Sequence, residues 1–152
     1  MKILVTGANG YLGQGIVEEL SQKSNVEVIA TGRKVDRINV DVKKIPVDLF
    51  EVKDPYNYFG RPDVLLHLAW RDGFIHNSPA HIDDLPKHYS FLKKMMEAGI
   101  SQVAVMGTMH EIGFYEGSID SGTPCSPETP YGISKNALRQ LVALTAAQKK
   151  IT

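Results

Sequence analysis

Cysteine is nearly absent from this sequence, neither sign of charge is in excess, and no long apolar run occurs. Cys125 is the only cysteine among the 152 residues, which excludes a disulfide within the chain. The 17 basic and 17 acidic side chains cancel, so no overall field attracts nucleic acid or an anionic membrane surface. No apolar run approaches the roughly 20 residues that a membrane-spanning helix needs. We therefore expect neither nucleic acid nor a membrane as a partner.

The apolar run at the start of the chain is also short. Lys2 is followed by only three apolar residues before Thr6, which is too short for the core of a signal peptide. Together with the single cysteine, this predicts a cytoplasmic protein. The apolar content of 43% is ordinary for a globular protein, so residues 1–152 are predicted to form one domain.

Short apolar runs alternate with segments of helical spacing along the chain. The predicted strands are residues 3–5, 26–30, 47–49, 64–68 and 102–106. Helices are predicted after the first strand, up to Ala98, and from Pro130 onward, whereas 71–86 is rich in turn-forming residues. Uniformly apolar strands that alternate with helices are typical of a doubly wound parallel α/β sheet of the Rossmann-like type.

The stretch MKILVTGANGYLG, residues 1–13, joins the first strand to the first helix through three glycines. Glycine tolerates positive φ in the turn, lets the backbone approach a pyrophosphate and allows close packing of helix and strand. Free N–H groups at a helix N-terminus favour phosphate. The turn therefore predicts a dinucleotide site, to which we assign Gly7, Asn9, Gly10, Tyr11, Leu12 and Gly13.

Tyr131 and Lys135 are four residues apart at the start of the last predicted helix. At this spacing both side chains project from one face and can meet at one ligand. An ammonium group stabilises a nearby phenolate, which suits a tyrosine that exchanges protons. The alternative is an exposed tyrosine and lysine on a solvated helix face.

Several of these segments together resemble a known family. The TGANGYLG turn from Thr6, a hydroxyl at the strand end in Thr108, and YGISK at 131–135 occur in the order found in extended short-chain dehydrogenases/reductases. With DVLLHLA at 63–69 and PETP at 127–130, the chain looks like the NAD-dependent epimerase/dehydratase branch. Members of that branch mostly act on nucleotide-linked sugars, and the resemblance covers nearly all of the chain.

The resemblance implies roles for three residues. Tyr131 would exchange the proton of a substrate hydroxyl or carbonyl, and Lys135 would assist it while holding the nicotinamide ribose. Thr108 would donate a hydrogen bond to the same substrate oxygen. The implied function is an NAD(P)-dependent oxidoreductase, epimerase or dehydratase acting on a nucleotide-linked sugar, in which the cofactor carries the hydride.

The resemblance also assigns part of the cofactor wall. Asp48 and Leu49 would flank the adenine, and Leu68 and Ala69 would line the cofactor with backbone. Trp70 follows directly: it would cap the nicotinamide or substrate side, or pack in the interior.

Arg33 bears on the choice of cofactor. An acidic residue after the second strand would bind a ribose 2′-hydroxyl, whereas this chain has Gly32, Arg33 and Lys34 there, which suits a 2′-phosphate. This predicts NADP(H) over NAD(H), with solvated surface basicity as the alternative explanation of these charges.

The histidines show no metal-ligand spacing. His67 is expected in the core of its strand, and His110, two residues after Thr108, is a candidate for substrate contact. The resemblance also places Asp84 where the family often has asparagine.

Members of this branch normally continue for another half-length, which supplies a domain that encloses the sugar nucleotide. The sequence ends at Thr152, so we expect the substrate domain to be missing and the chain to be a fragment, with a processed product or a degenerate family member as the alternatives. A non-catalytic dinucleotide sensor or interaction module is the alternative function. The last two helices are candidates for a homodimer contact, and core packing is the equal alternative for Leu138, Leu141 and Val142.

Overall fold

The five strands of the protein form one parallel sheet in the computed structural model, which describes residues 1–152. The strands are β1 (Lys2–Thr6), β2 (Glu27–Gly32), β3 (Lys43–Pro46), β4 (Val64–His67) and β5 (Gln102–Val105). Their order across the sheet is β3-β2-β1-β4-β5, and every neighbouring pair is parallel. The predicted doubly wound parallel sheet is confirmed.

The helices cover both faces of this sheet. They are α1 (Tyr11–Ser21), α2 (Pro55–Tyr58), α3 (Ala80–Glu97) and α4 (Pro130–Lys149), with 3-10 turns at Leu49–Glu51 and Met109–Glu111. Alternate residues of β1 enter different cores: Ile3 and Val5 pack with α1, whereas Leu4 packs with α3 and α4. This two-residue alternation is what a strand buried on both faces requires. No helix is long and apolar enough to cross a membrane.

The third strand differs from the prediction of a strand at 47–49. It is Lys43–Pro46 and lies at the edge of the sheet, where three of its four residues are exposed. An exposed edge strand needs no apolar run, so its sequence KKIP carries no strand pattern. Asp48 instead caps the 3-10 turn that follows, because its carboxylate accepts the Phe50 N–H at 3.0 Å.

Helix α3 begins at Ala80, within the segment predicted as a turn-rich loop. The cause of the error is Pro86, which lies inside the helix and which normally marks a helix boundary. The end of α3 is as predicted, with Gly99 at φ 101° just beyond it. The early start of α3 places His81, in its first turn, beside Trp70, which follows β4.

Candidate active site

A cleft of about 660 Å³ lies at the carboxyl ends of β1, β2 and β4. Its size is within the roughly 300–1,000 Å³ of small-molecule and cofactor sites. Eight of the predicted cofactor residues line it, namely Gly7, Asn9, Gly10, Arg33, Asp48, Leu49, Leu68 and Ala69. The structure thus brings most of the predicted binding residues to one place, at the end of the sheet where ligands of such folds bind.

The glycine turn is held by two close backbone approaches. Gly7 has φ 66°, and a Cβ on it would lie 2.7 Å from the Ala69 nitrogen. A Cβ on Gly13 would lie 2.4 Å from the Gly7 carbonyl oxygen. Neither position has room for a side chain, so β1, α1 and the end of β4 meet through bare backbone.

The N-terminus of α1 suits an anionic group. Gly10 is its N-cap and supplies no side chain to the free amides, and the first turn contains no acidic residue. Such amides have no partner within the helix, and the helix dipole favours negative charge beside them. Tyr11 and Leu12 are 93% and 51% exposed and do not line the cleft, so only their N–H groups are placed to contribute. A pyrophosphate fits this turn.

Basic side chains follow β2 at one end of the cleft. Arg33 and Lys34 line it, and the nearby Asp36 accepts a hydrogen bond from the Asn9 side chain at 3.0 Å. Asn9 also accepts the Arg37 N–H at 2.9 Å. Asn9 therefore ties the glycine turn to the segment after β2 and engages the acidic group of that segment.

Helix α3 contributes a wall of the cleft that the sequence did not predict, although the resemblance singled out Asp84. Asp84 is buried there and contacts Arg71 at 2.5 Å and Lys87 at 2.9 Å. Burial raises the pKa of Asp84, but the hydrogen bonds and charges of Lys87 and Arg71 outweigh it, so the pKa lies below its usual value. Asp84 is thus an anion that holds two cations at the cleft.

Trp70, which follows β4, lines the cleft and lies beside Tyr131 and Lys135 of α4. Its ring stacks on His88 at 4.4 Å between centroids, and its Nε1–H donates to His81 Nδ1 at 2.9 Å. Because His81 Nδ1 accepts, the other ring nitrogen carries the hydrogen and donates to the Ile75 carbonyl at 3.0 Å. Trp70 is therefore both a lining residue and a packed one, so the two interpretations of it are compatible.

Lys135 of α4 also contacts the Trp70 ring. It is buried; its Nζ donates to the Met106 carbonyl at the end of β5 and lies 4.6 Å from the centre of the Trp70 ring. Burial lowers the pKa of Lys135 to about 8, and the charge of Glu111 opposes this shift.

Tyr131 sits one turn before Lys135, but the structure contains no hydrogen bond between the two side chains. Its ring packs against three histidines, at 5.5 Å from His76, 5.0 Å from His81 and 5.5 Å from His110. Its hydroxyl makes no hydrogen bond within the protein and is not fully buried. The hydroxyl is therefore free to bind another molecule.

Thr108 is fixed to helix α4 through a buried carboxylate. Its N–H donates to Glu111 Oε1 at 2.8 Å, and its hydroxyl oxygen accepts the His110 N–H at 3.4 Å. Glu111 Oε2 contacts Arg139 Nε at 3.0 Å. The Thr108 hydroxyl keeps its own hydrogen for a further acceptor. Thr108, Tyr131 and Lys135 all lie outside the lining of the cleft.

No short sequence pattern predicts the contacts that Trp70 makes with the residues around it. Spacing along the chain identifies the glycine turn and the Tyr131–Lys135 pair, because each lies within one element. The two histidines that contact Trp70, His81 and His88, both lie on α3. Trp70 follows β4, so only the tertiary structure brings it beside them, and α3 in turn packs against α4.

Comparison with known proteins gives the relatives of this chain. It is 41% identical over 144 residues to a dTDP-6-deoxy-L-talose 4-dehydrogenase (NAD(+)) of Aggregatibacter actinomycetemcomitans, a match that covers 92% of this chain and 53% of that protein. The chain thus spans about half the length of this relative.

Solved structures of similar fold include two UDP-glucose 4-epimerases. The structure of the Thermotoga maritima enzyme, with UDP-glucose, has a TM-score of 0.84 at 21% identity, and the match covers 99% of this chain and 53% of that one. The structure of the Thermus thermophilus enzyme, with NAD, has a TM-score of 0.81 at 23% identity, and the match covers 99% of this chain and 52% of that one. The pattern of one family matches residues 3–152. The chain belongs to the NAD dependent epimerase/dehydratase family.

Proposed function

We propose that this chain is the cofactor-binding part of an enzyme that oxidises or reduces a carbon of a nucleotide-linked sugar with a nicotinamide dinucleotide. The observation that carries the proposal is the position of the cleft. It runs from the uncapped amides of α1 to Trp70, and beyond that ring lie Tyr131 and Lys135. A diphosphate on the amides would place one half of the dinucleotide near these two residues.

The residues of this chain then have separate tasks. The nicotinamide supplies the hydride acceptor or donor when it is bound. Tyr131 takes the proton of the substrate hydroxyl during oxidation and returns it during reduction. Lys135, held by the Met106 carbonyl, stabilises the phenolate form of Tyr131. The Thr108 hydroxyl donates a hydrogen bond to the same substrate oxygen.

The relative from Aggregatibacter guides the first choice of substrate. Its name specifies dTDP-6-deoxy-L-talose, so a dTDP-linked 6-deoxyhexose is the probe with which turnover is to be measured.

Replacement of Tyr131 by phenylalanine tests the proposed chemistry. Tyr131→Phe keeps the ring that packs on the histidines and removes the proton-transferring hydroxyl, so we expect kcat to fall by about 10²- to 10⁴-fold. The dissociation constant of the dinucleotide, measured by calorimetry, should change by less than about twofold, since no binding contact is removed. Tyr89→Phe is the matched control, because the Tyr89 hydroxyl bonds Thr145 between α3 and α4, away from the cleft. Full activity of Tyr131→Phe would contradict the assigned role.

We propose further that NADP(H) is preferred, because Arg33 and Lys34 line the cleft after β2 and suit a 2′-phosphate. The name of the 41% identical relative specifies NAD(+), so a titration with both cofactors is decisive. Arg33→Ala should weaken NADP binding about tenfold and leave NAD binding unchanged. The control is Arg37→Ala, because Arg37 is exposed and does not line the cleft. Equal or tighter NAD binding that Arg33→Ala does not affect would reject this preference.

A dinucleotide sensor without catalysis is the second candidate function. The Tyr131–Lys135 pair speaks against it, because sensing needs no proton-transferring phenol. Turnover that depends on Tyr131 separates the two functions.

We also propose that the protein forms a homodimer and acts in the cytoplasm. A cytoplasmic location suits Cys125, whose thiol is exposed and forms no disulfide.

A further inference from the structure

A chain of hydrogen bonds leads from β1 through β4 to α3. The Ala69 N–H donates to Thr6 Oγ1 at 3.3 Å, and Thr6 Oγ1 lies 2.9 Å from His67 Nδ1. His67 Nε2 in turn lies 2.9 Å from His88 Nδ1. Thr6, His67 and His88 are only 0%, 2% and 3% exposed, so water does not complete this chain.

The direction of the hydrogen bonds follows from the one hydrogen of the Thr6 hydroxyl. Its only acceptor within the structure is His67 Nδ1, so that nitrogen is bare and His67 carries its hydrogen on Nε2. His67 Nε2–H then donates to His88 Nδ1, and His88 must carry its hydrogen on Nε2. The opposite direction would leave a buried hydroxyl hydrogen without an acceptor, which costs roughly 1–3 kcal/mol.

The Nε2–H of His88 is open to the cleft. His88 lines the cleft, and its Nε2 has no hydrogen-bond partner in the protein. Ser134 Oγ is the only fully buried side-chain nitrogen or oxygen without a hydrogen-bond partner. Because His88 Nε2 also lacks a partner, it must be accessible from the cleft. Its ring is fixed by Trp70, stacked at 4.4 Å, and by Phe50, edge-on at 4.9 Å.

His88 is uncharged at neutral pH. Burial lowers its pKa to about 4; Lys135, Arg71 and Lys87 act in the same direction, and only the charge of Asp84 opposes them. The cleft therefore presents cations for phosphates and, separately, the neutral imidazole N–H of His88. A neutral imidazole N–H can donate to an uncharged acceptor, such as a ring nitrogen or a sugar oxygen, without adding a net charge to the cleft.

The half of the dinucleotide that meets His88 follows from the position of Trp70. Tyr131 and Lys135 lie outside the cleft lining, beyond Trp70, and the reacting ring must reach them. His88 lines the cleft together with Asp48 and Phe50. We propose that His88, oriented by Thr6 and His67, donates its Nε2–H to an uncharged acceptor on the adenosine half of the cofactor. This inference rests on the proposed function and adds a recognition residue to it.

Nitrogen-15 NMR of the histidines in the wild-type chain tests the proposal without any activity. In the free protein at pH 7, long-range ¹H–¹⁵N spectra should show both His67 and His88 as neutral Nε2–H tautomers. AMP and the full dinucleotide should shift the His88 Nε2 signal, whereas nicotinamide mononucleotide, which lacks adenosine, should not. An Nδ1–H tautomer of His88 overturns the proposal. So does a His88 signal that does not move, or that moves only with the mononucleotide, while the dinucleotide binds. Failure of the dinucleotide itself to bind would instead reject the proposed function.

Two variants separate recognition from orientation. His88→Phe retains an aromatic ring for the stack and removes the donor, so we expect the dissociation constant of AMP to rise about tenfold. Thr6→Val replaces the hydroxyl, which contacts His67 and accepts the Ala69 N–H, by a methyl group. It should let His67 populate both neutral tautomers, with a smaller loss of AMP affinity. Tyr89→Phe, next to His88 on α3, should alter neither the tautomers nor AMP binding. An unchanged AMP affinity in a folded His88→Phe variant would contradict the proposal.

Discussion

Individual residues around Trp70 combine burial with ionisable chemistry. His67, His88 and Lys135 all have a pKa below the ordinary value, and burial is the first cause in each case. Each of them disfavours its charged form in the folded protein. The hydrogen bonds from Thr6 to His67 and from His67 to His88 require both imidazoles to be neutral, because each Nδ1 accepts. This requirement connects the chemistry of the cleft to the stability of the fold.

We expect the protein to lose stability as the pH falls from 6.5 to 4. The unfolded His88 has a pKa near 6.5 and the folded one about 4, so in this window the unfolded state binds more protons and stability rises with pH. The shift of His88 alone corresponds to about 3 kcal/mol of unfolding free energy, and His67 acts in the same direction. Urea unfolding curves measured across this range give the slope.

His88→Phe provides the comparison for this slope. It removes one titrating group, so the free energy of unfolding should depend less steeply on pH by about one proton between pH 6.5 and 4. A difference in stability between the two proteins at pH 7 does not matter, since only the slopes are compared. Identical slopes for the wild type and His88→Phe would show that His88 is not buried in its neutral form.

At the scale of elements, the features that the sequence predicted are those with a local cause. The run from Ile3 to Val5 is apolar at every position because both faces of β1 are covered, and Gly7 and Gly13 are required by two backbone contacts. Pro130 begins α4, and Thr129 caps it by accepting the Gly132 N–H at 3.1 Å. Such signals lie within a few residues of the structure that they specify.

The features that the sequence did not predict depend on contacts between elements. Strand β3 is defined by its pairing with β2 and not by an apolar run of its own. The first turns of α3 were hidden by Pro86. The partnership of His67 with His88 joins residues 21 positions apart on different elements. The motifs in the sequence therefore predict the backbone amides that could bind phosphate, but they do not predict the side chains of α3 that line the cleft.

For the whole molecule, the packing of α3 and α4 decides which apolar residues remain available for a second subunit. Leu138 and Val142 are 0% and 8% exposed and belong to the core, so they cannot form a dimer contact. Ile133 and Leu144 are exposed on α4. They lie eleven residues apart, which places them on one face of the helix. This face of α4 is therefore the candidate contact for the proposed homodimer.

We expect the protein to sediment as a dimer that associates through this face of α4. Leu144→Glu places a charge there without touching the core, so it should shift the sedimenting species to the mass of one chain while the circular dichroism spectrum stays unchanged. Ile119→Glu, at another exposed apolar residue outside the helices, should leave the dimer intact, because a stable contact of the usual 1,200–2,000 Å² or so is specific to one surface. If the wild-type chain sediments as a monomer at every concentration, the homodimer is ruled out. Ile133 and Leu144 would then be ordinary surface residues, since single exposed apolar side chains are common on monomeric proteins.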